Sequence, residues 1–235
     1  MTKFSGIVFV LVFVVALTST LSATTVLAKG GNSAFVCTGL IAAVDVIDSN
    51  VIVPNGSLCG IDGTVNGNIF VEQGGSLEVG TSATVNGNIL SDSDAAGTSL
   101  VTAVALWGTL NGNVTQRGDG ALSVVLGTVT GNVRMTGDGR LLVWSVGIGF
   151  STTVDGNVVN AGMGDTFVGS GIGGTLTVGG HVMAKGDGGG IFTDDFVSAG
   201  STSVGESVCG LTLFESSPGS VVVGGKISDE CSPRK

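Results

Sequence analysis

Short apolar runs punctuated by glycine recur along most of this chain. Thr64-Val65-Asn66-Gly67-Asn68-Ile69 returns as Thr84-Val85-Asn86-Gly87-Asn88-Ile89 and as Thr109-Leu110-Asn111-Gly112-Asn113-Val114. It continues as Thr128-Val129-Thr130-Gly131-Asn132-Val133, Thr153-Val154-Asp155-Gly156-Asn157-Val158 and Thr177-Val178-Gly179-Gly180-His181-Val182. Two looser copies, Ser203-Val204-Gly205-Glu206-Ser207-Val208 and Val222-Val223-Gly224-Gly225-Lys226-Ile227, close the series. The central positions 67, 87, 112, 131, 156, 180, 206 and 225 advance by 20, 25, 19, 25, 24, 26 and 19 residues, about 22.6 on average.

Polar and apolar positions alternate within each copy, the period of a strand with one buried face. Valine, isoleucine, leucine, threonine and phenylalanine fill the runs, which is strand chemistry rather than helix chemistry. A unit of about 23 residues cannot bury an apolar face alone and must stack on its own copies. The pattern therefore predicts an all-β, single-stranded parallel β-helix (β-solenoid) of eight or nine rungs, right-handed. At ~4.8 Å per rung it would form a rod of about 40 Å. Val65, Val85, Leu110, Val129, Val154 and Val178 are expected to stack in the core, with Thr64 and Asn66 and their counterparts on the opposite face. The central glycines are expected at sharp corners with positive φ. Asn68, Asn88, Asn113, Asn132 and Asn157 would form a structural ladder there, amide on amide. Uneven step lengths imply loops of different length on at least one side.

Composition fits this picture. The chain has 42 glycines in 235 residues, about 18% against a usual ~7%, with only 3 prolines and 11% charged residues. Without a Gly-X-Y period this is not collagen, and 43% apolar content is not that of a disordered chain. Eighteen acidic against nine basic residues, with no basic cluster, exclude a nucleic-acid partner.

Residues 1–28 read as a secretory signal: Lys3, an apolar run from Ile7 to Leu17, and the small-residue site Val26-Leu27-Ala28. Cleavage is expected after Ala28. A cut after Ala23, or retention as a membrane anchor, is the alternative, since Ile7 to Ala28 is about the ~20 residues that span a bilayer. Cleavage leaves a chain with no membrane span: an N-terminal segment 29–36, the solenoid 37–231 and a tail 232–235, secreted or on the cell surface. Four cysteines in an exported chain point to two disulfides. Cys37 and Cys59 are 22 residues apart near one end, and Cys209 and Cys231 are 22 apart near the other. This spacing favours Cys37–Cys59 and Cys209–Cys231 as end caps, and no CxxC pair suggests zinc.

The Val-x-Gly-Asn-Val/Ile repeat resembles that of bactofilins, bacterial β-helix proteins that polymerise. With Cys37-Thr38-Gly39, Val53-Pro54-Asn55-Gly56 and Cys59 ahead of the repeats, it is more closely similar to uncharacterised secreted bacterial solenoids. The resemblance spans residues 37–231 and implies a β-helical fold and self-association as one mode of action. The export signal and terminal disulfides depart from the bactofilin pattern.

Three sets of residues are candidates for function. Asp94, Asp119 and Asp138 follow their central glycines by seven residues, as does Asp187. Read most simply they are ordinary turn aspartates in water and no cofactor is expected; the alternative is that, stacked, they present a carboxylate column suited to weak Ca²⁺ binding. Thr64, Thr84, Thr109, Thr128, Thr153 and Thr177 would form a flat Thr-x-Asn array for an ice-like or other surface, or a plain solvated strand face. Catalysis on a polysaccharide would draw on Asp194, Asp195 and Lys185, or on Arg117, Arg134 and Arg140, but no motif surrounds them and no catalytic residue is expected. Trp107, Trp144 and Phe150 are candidates for packing or sugar stacking. The expected protein is thus a secreted, non-catalytic structural or adhesive solenoid. Its partners are envelope or matrix polysaccharide, or itself. Filament subunit, polysaccharide-active and surface-binding readings are the alternatives.

Overall fold

The computed structural model describes residues 34–94, 103–171, 173–185, 189–194, 201–210, 212–215 and 221–228. The proposed signal, the tail 232–235, Cys231, Asp187 and Asp195 lie outside them.

Among the described residues there are strands and no helix, and every strand pairing is parallel. The chain visits three sheets in turn. The first has ten strands, from Phe35–Val36 to Ile227–Ser228; the second has nine, from Leu40–Ile41 to Thr212–Glu215; the third has nine, from Val46–Ile47 to Val221–Val223. Each strand pairs with the strand one turn before and one turn after it in the same sheet. This is a parallel β-solenoid of nine rungs and a tenth strand on the first sheet.

The repeats stack in register. In the third sheet Thr64 pairs with Thr84, then Thr109, Thr128, Thr153 and Thr177, with Ser203 and Val222 continuing the column. Their neighbours Val65, Val85, Leu110, Val129, Val154 and Val178 are fully buried. The first sheet sends in Ile69, Ile89, Val114, Val133, Val158 and Val182, and the second sends in Leu77, Val104, Leu122 and Leu141. One continuous core results, and apolar burial along it, at about 25 cal/mol per Å², is what a single rung lacks.

The central glycines correct one expectation. Among the described glycines, positive φ occurs at Gly56, Gly74, Gly147, Gly149, Gly173 and Gly210, and at none of the repeat glycines. The repeat needs glycine for a different reason. A Cβ at Gly131 would lie 2.5 Å from the carbonyl oxygen of Gly112, and one at Gly156 would lie 2.6 Å from that of Gly131. The corner backbones touch directly, with the N–H of Gly131 donating to Gly112 O at 3.0 Å. Any side chain would wedge the rungs apart.

The rod widens midway. Strands Leu141–Val146 and Thr166–Gly171 of the second sheet have six residues, where Leu122–Val125 has four. The turn that follows the first of these carries Ile148 and Phe150 into solvent over Gly147 and Gly149. Cys37 and Cys59, both buried, are disulfide-bonded with Cα atoms 5.5 Å apart, tying the first rung to the second. Cys209 is also oxidised. No helix among the described residues is long and apolar enough to cross a membrane.

Candidate binding groove and its ladder columns

The first sheet is flanked by two corners, each with its own ladder. At the corner entering it, Asn68 N–H donates to Asn50 Oδ1 at 2.9 Å, and the step repeats from Asn88 to Asn68, Asn113 to Asn88, Asn132 to Asn113 and Asn157 to Asn132. Each Nδ2 donates to the same oxygen, at 2.9 Å between Asn157 and Asn132 and 3.0 Å between Asn132 and Asn113. The column outlasts its asparagines. His181 N–H donates to Asn157 Oδ1 at 2.8 Å, Ser207 N–H to His181 Nδ1 at 3.1 Å, and Lys226 N–H to Ser207 Oγ at 3.1 Å. Because Nδ1 accepts, Nε2 carries the imidazole proton and faces Glu206 Oε2. Asn50 and Ser207 were missed from sequence because neither sits in a well-formed copy of the motif.

A second amide ladder runs one position outside the corner, unanticipated as a hydrogen-bonded row. Asn66 Nδ2 donates to Asp48 at 2.7 Å, Asn86 to Asn66 at 2.8 Å and Asn111 to Asn86 at 2.8 Å. It stops where Thr130, Asp155 and Gly179 replace asparagine.

At the corner leaving the first sheet, Asp94, Asp119 and Asp138 do stack. Asp119 N–H donates to Asp94 Oδ1 at 3.3 Å, Asp138 N–H to Asp119 Oδ1 at 2.9 Å, and Met163 N–H to Asp138 Oδ1 at 2.9 Å. Gln73 Nε2 also donates to Asp94, at 2.5 Å. Among the described residues no three His, Cys, Asp or Glu side chains converge as a metal-holding group. One oxygen of each carboxylate accepts from the backbone of the following rung.

Between these corners lies a groove of about 640 Å³ on the outer face of the first sheet, spanning five rungs. The Asn68–Asn157 ladder forms one wall. Its floor is the outward residue of each strand: Phe70, Leu90, Thr115, Arg134 and Val159, consecutive in register. Sequence reasoning passed over this column, although Ile69-Phe70-Val71 and Ile89-Leu90-Ser91 do contain the signal: the middle of three residues must face outward.

The other candidates disperse. The threonine column faces outward, half-buried up to Thr153 and exposed at Thr177. Trp144 stands on the outer face of the second sheet in register with Val125 and Gly169, while Trp107 and Phe150 are exposed at turns. Arg140 lies over the Phe167 ring at 5.6 Å, away from the groove. Arg117 and Arg134 are brought close, on adjacent rungs.

Fold and columns together define the class, a disulfide-bearing parallel β-solenoid with ladder-bonded corners. Comparisons with protein-family models, with curated proteins and with solved structures returned no significant match.

Proposed function

We propose that the protein is an exported, non-catalytic solenoid serving as a structural or adhesive component of the cell surface or extracellular matrix. The observation that carries this reading is the corner ladder, eight consecutive side-chain-to-backbone steps from Asn50 to Lys226. The residues that make the sequence unusual are used in holding one rung to the next, as a load-resisting rod requires. The Cys37–Cys59 disulfide supports an oxidising compartment and so export. The test is fractionation and surface labelling of intact cells, with the native protein followed by antibody. Recovery in the envelope or matrix fraction, accessible to a membrane-impermeant label, is expected; recovery in the cytoplasm with reduced cysteines overturns the reading.

A second reading, end-to-end assembly into filaments as the bactofilin resemblance implies, is favoured by one feature. Val36, Leu40, Val44 and Val46 leave apolar surface exposed on the first rung, and Val222 and Ile227 do so on the last. Stacked ends would continue the parallel sheets and give each of these positions a neighbour one rung away. Electron microscopy of the purified protein at rising concentration distinguishes the two, with single rods expected for a capped solenoid and long fibres for a polymer.

A further inference from the structure

We propose that the groove on the first sheet binds a linear acidic polysaccharide, held along the rod axis with Arg134 as its principal anion contact. This rests on the surface or matrix role proposed above and names the partner that role requires.

Charge distribution is the first argument. The chain has twice as many acidic as basic residues, yet the groove lining carries no acid and one cation, Arg134; the carboxylates of Asp94, Asp119 and Asp138 stand at the neighbouring corner, each with one oxygen taken by a backbone N–H of the next rung. Arg134 is exposed at the fourth of the five floor positions. Arg117 lies two residues beyond Thr115, the partner of Arg134 in register, so their Cα atoms are about 8 Å apart. Backbone pairing places Glu72, Asp92, Arg117, Thr136, Ala161 and Lys185 in one column at the groove edge. The carboxylates of that column precede Arg117. From Arg117 onward, neither it nor the groove floor carries an acid among the described residues. Neither Arg117 nor Arg134 forms a salt bridge among those residues.

The second argument is the chemistry of the lining. Each ladder asparagine uses one amide N–H toward the preceding rung, and the amide carries another. The wall therefore offers a donor every ~4.8 Å over about 20 Å. Phe70, Leu90 and Val159 give an apolar floor. A chain of sugars matches this combination, with hydroxyl acceptors at its edges, apolar C–H faces, and carboxylates or sulfates for the planar arginine fork. A nucleic acid fits it poorly, because the regular phosphate charge calls for more cations than three at this spacing.

The test is affinity electrophoresis of the full chain, expressed as encoded, through gels containing polygalacturonate, a neutral dextran, or single-stranded DNA. Polygalacturonate is expected to retard the protein at low salt, with retardation falling as salt rises, while dextran leaves it unretarded. Arg134→Glu is expected to weaken polygalacturonate binding at least tenfold, and Arg117→Glu with Lys185→Glu several-fold. Arg140→Glu, with the same charge change outside the groove, should stay within twofold of wild type. Each exposed substitution is checked for unchanged circular dichroism. Equal retardation by dextran, equal loss in the Arg134 and Arg140 variants, or a preference for DNA overturns the proposal. Absence of retardation in a protein still recovered at the cell surface refutes the groove assignment alone; loss of surface location refutes the parent reading.

Discussion

The two corners bordering the first sheet meet the same demand with different chemistry. At both, glycine lets one rung's backbone lie directly on another, as at Gly131 over Gly112 and Gly137 over Gly118. At both, a side-chain oxygen accepts the N–H of the next rung. One corner does this with asparagine and runs unbroken through six amides, Asn50 to Asn157, before His181 and Ser207 take over. The other uses aspartate and ends after Asp138, where Met163 follows. An amide both accepts and donates, so each new rung gains a side-chain bond as well as a backbone bond. A carboxylate only accepts, and its neighbour one rung away repels it by about 1 kcal/mol even in bulk water. Stacking thus rewards amides over any length and carboxylates only briefly.

That contrast can be broken in steps. The largest effect is expected where both corners are alike, at the glycines. Gly131→Val should lose about 3 kcal/mol of stability, since the new side chain meets the Gly112 carbonyl. Gly39→Ala, where a Cβ meets nothing within 4 Å, should stay within ±0.5 kcal/mol. Thermal melts of the pair check this, and equal melting temperatures would show that rung contact does not select glycine.

Next comes the exchange of ladder chemistry. Asn113→Asp removes the Nδ2 bond to Asn88 and sets a carboxylate oxygen against that amide oxygen, which should cost about 1–2 kcal/mol. Asp119→Asn runs the opposite way, keeping the acceptor for Asp138 N–H while removing repulsion from Asp94 and Asp138. It should raise stability by up to ~1 kcal/mol, or about 2–4 °C in Tm. If both variants shifted stability in the same direction, the distinction between amide and carboxylate stacking would be lost. The smallest change is expected away from both corners. Thr109→Ala, on an outward half-buried column, should cost about 0.5 kcal/mol, the strand preference of threonine alone.

Much of the architecture was legible in the repeat. Val65 and its counterparts lie in the core, and Thr64 and its counterparts in one outward column, because period-2 alternation with a fixed motif leaves one register that buries every valine. The groove was not legible. It needs Phe70, Leu90 and Arg134 on the same column, and those residues share neither a type nor a place in the obvious motif. The purpose of the central glycine was misread for a similar reason: φ is a local property, whereas the obstacle at Gly131 is a carbonyl 19 residues earlier in the chain.

Sequence alone determined that this chain stacks on itself, where each rung begins, and which valines and threonines share a column, because these follow from a local periodicity repeated at a readable interval. Only the tertiary structure decided what the columns meet. It carried the ladder on through His181 and Ser207 where the motif fades, turned three aspartates toward the next rung's backbone, and set Arg134 and Arg117 close together on adjacent rungs. The physical reason is that rung-to-rung neighbours are some twenty residues apart in the chain, with variable loops between them, so their pairing exists only once the coil has closed.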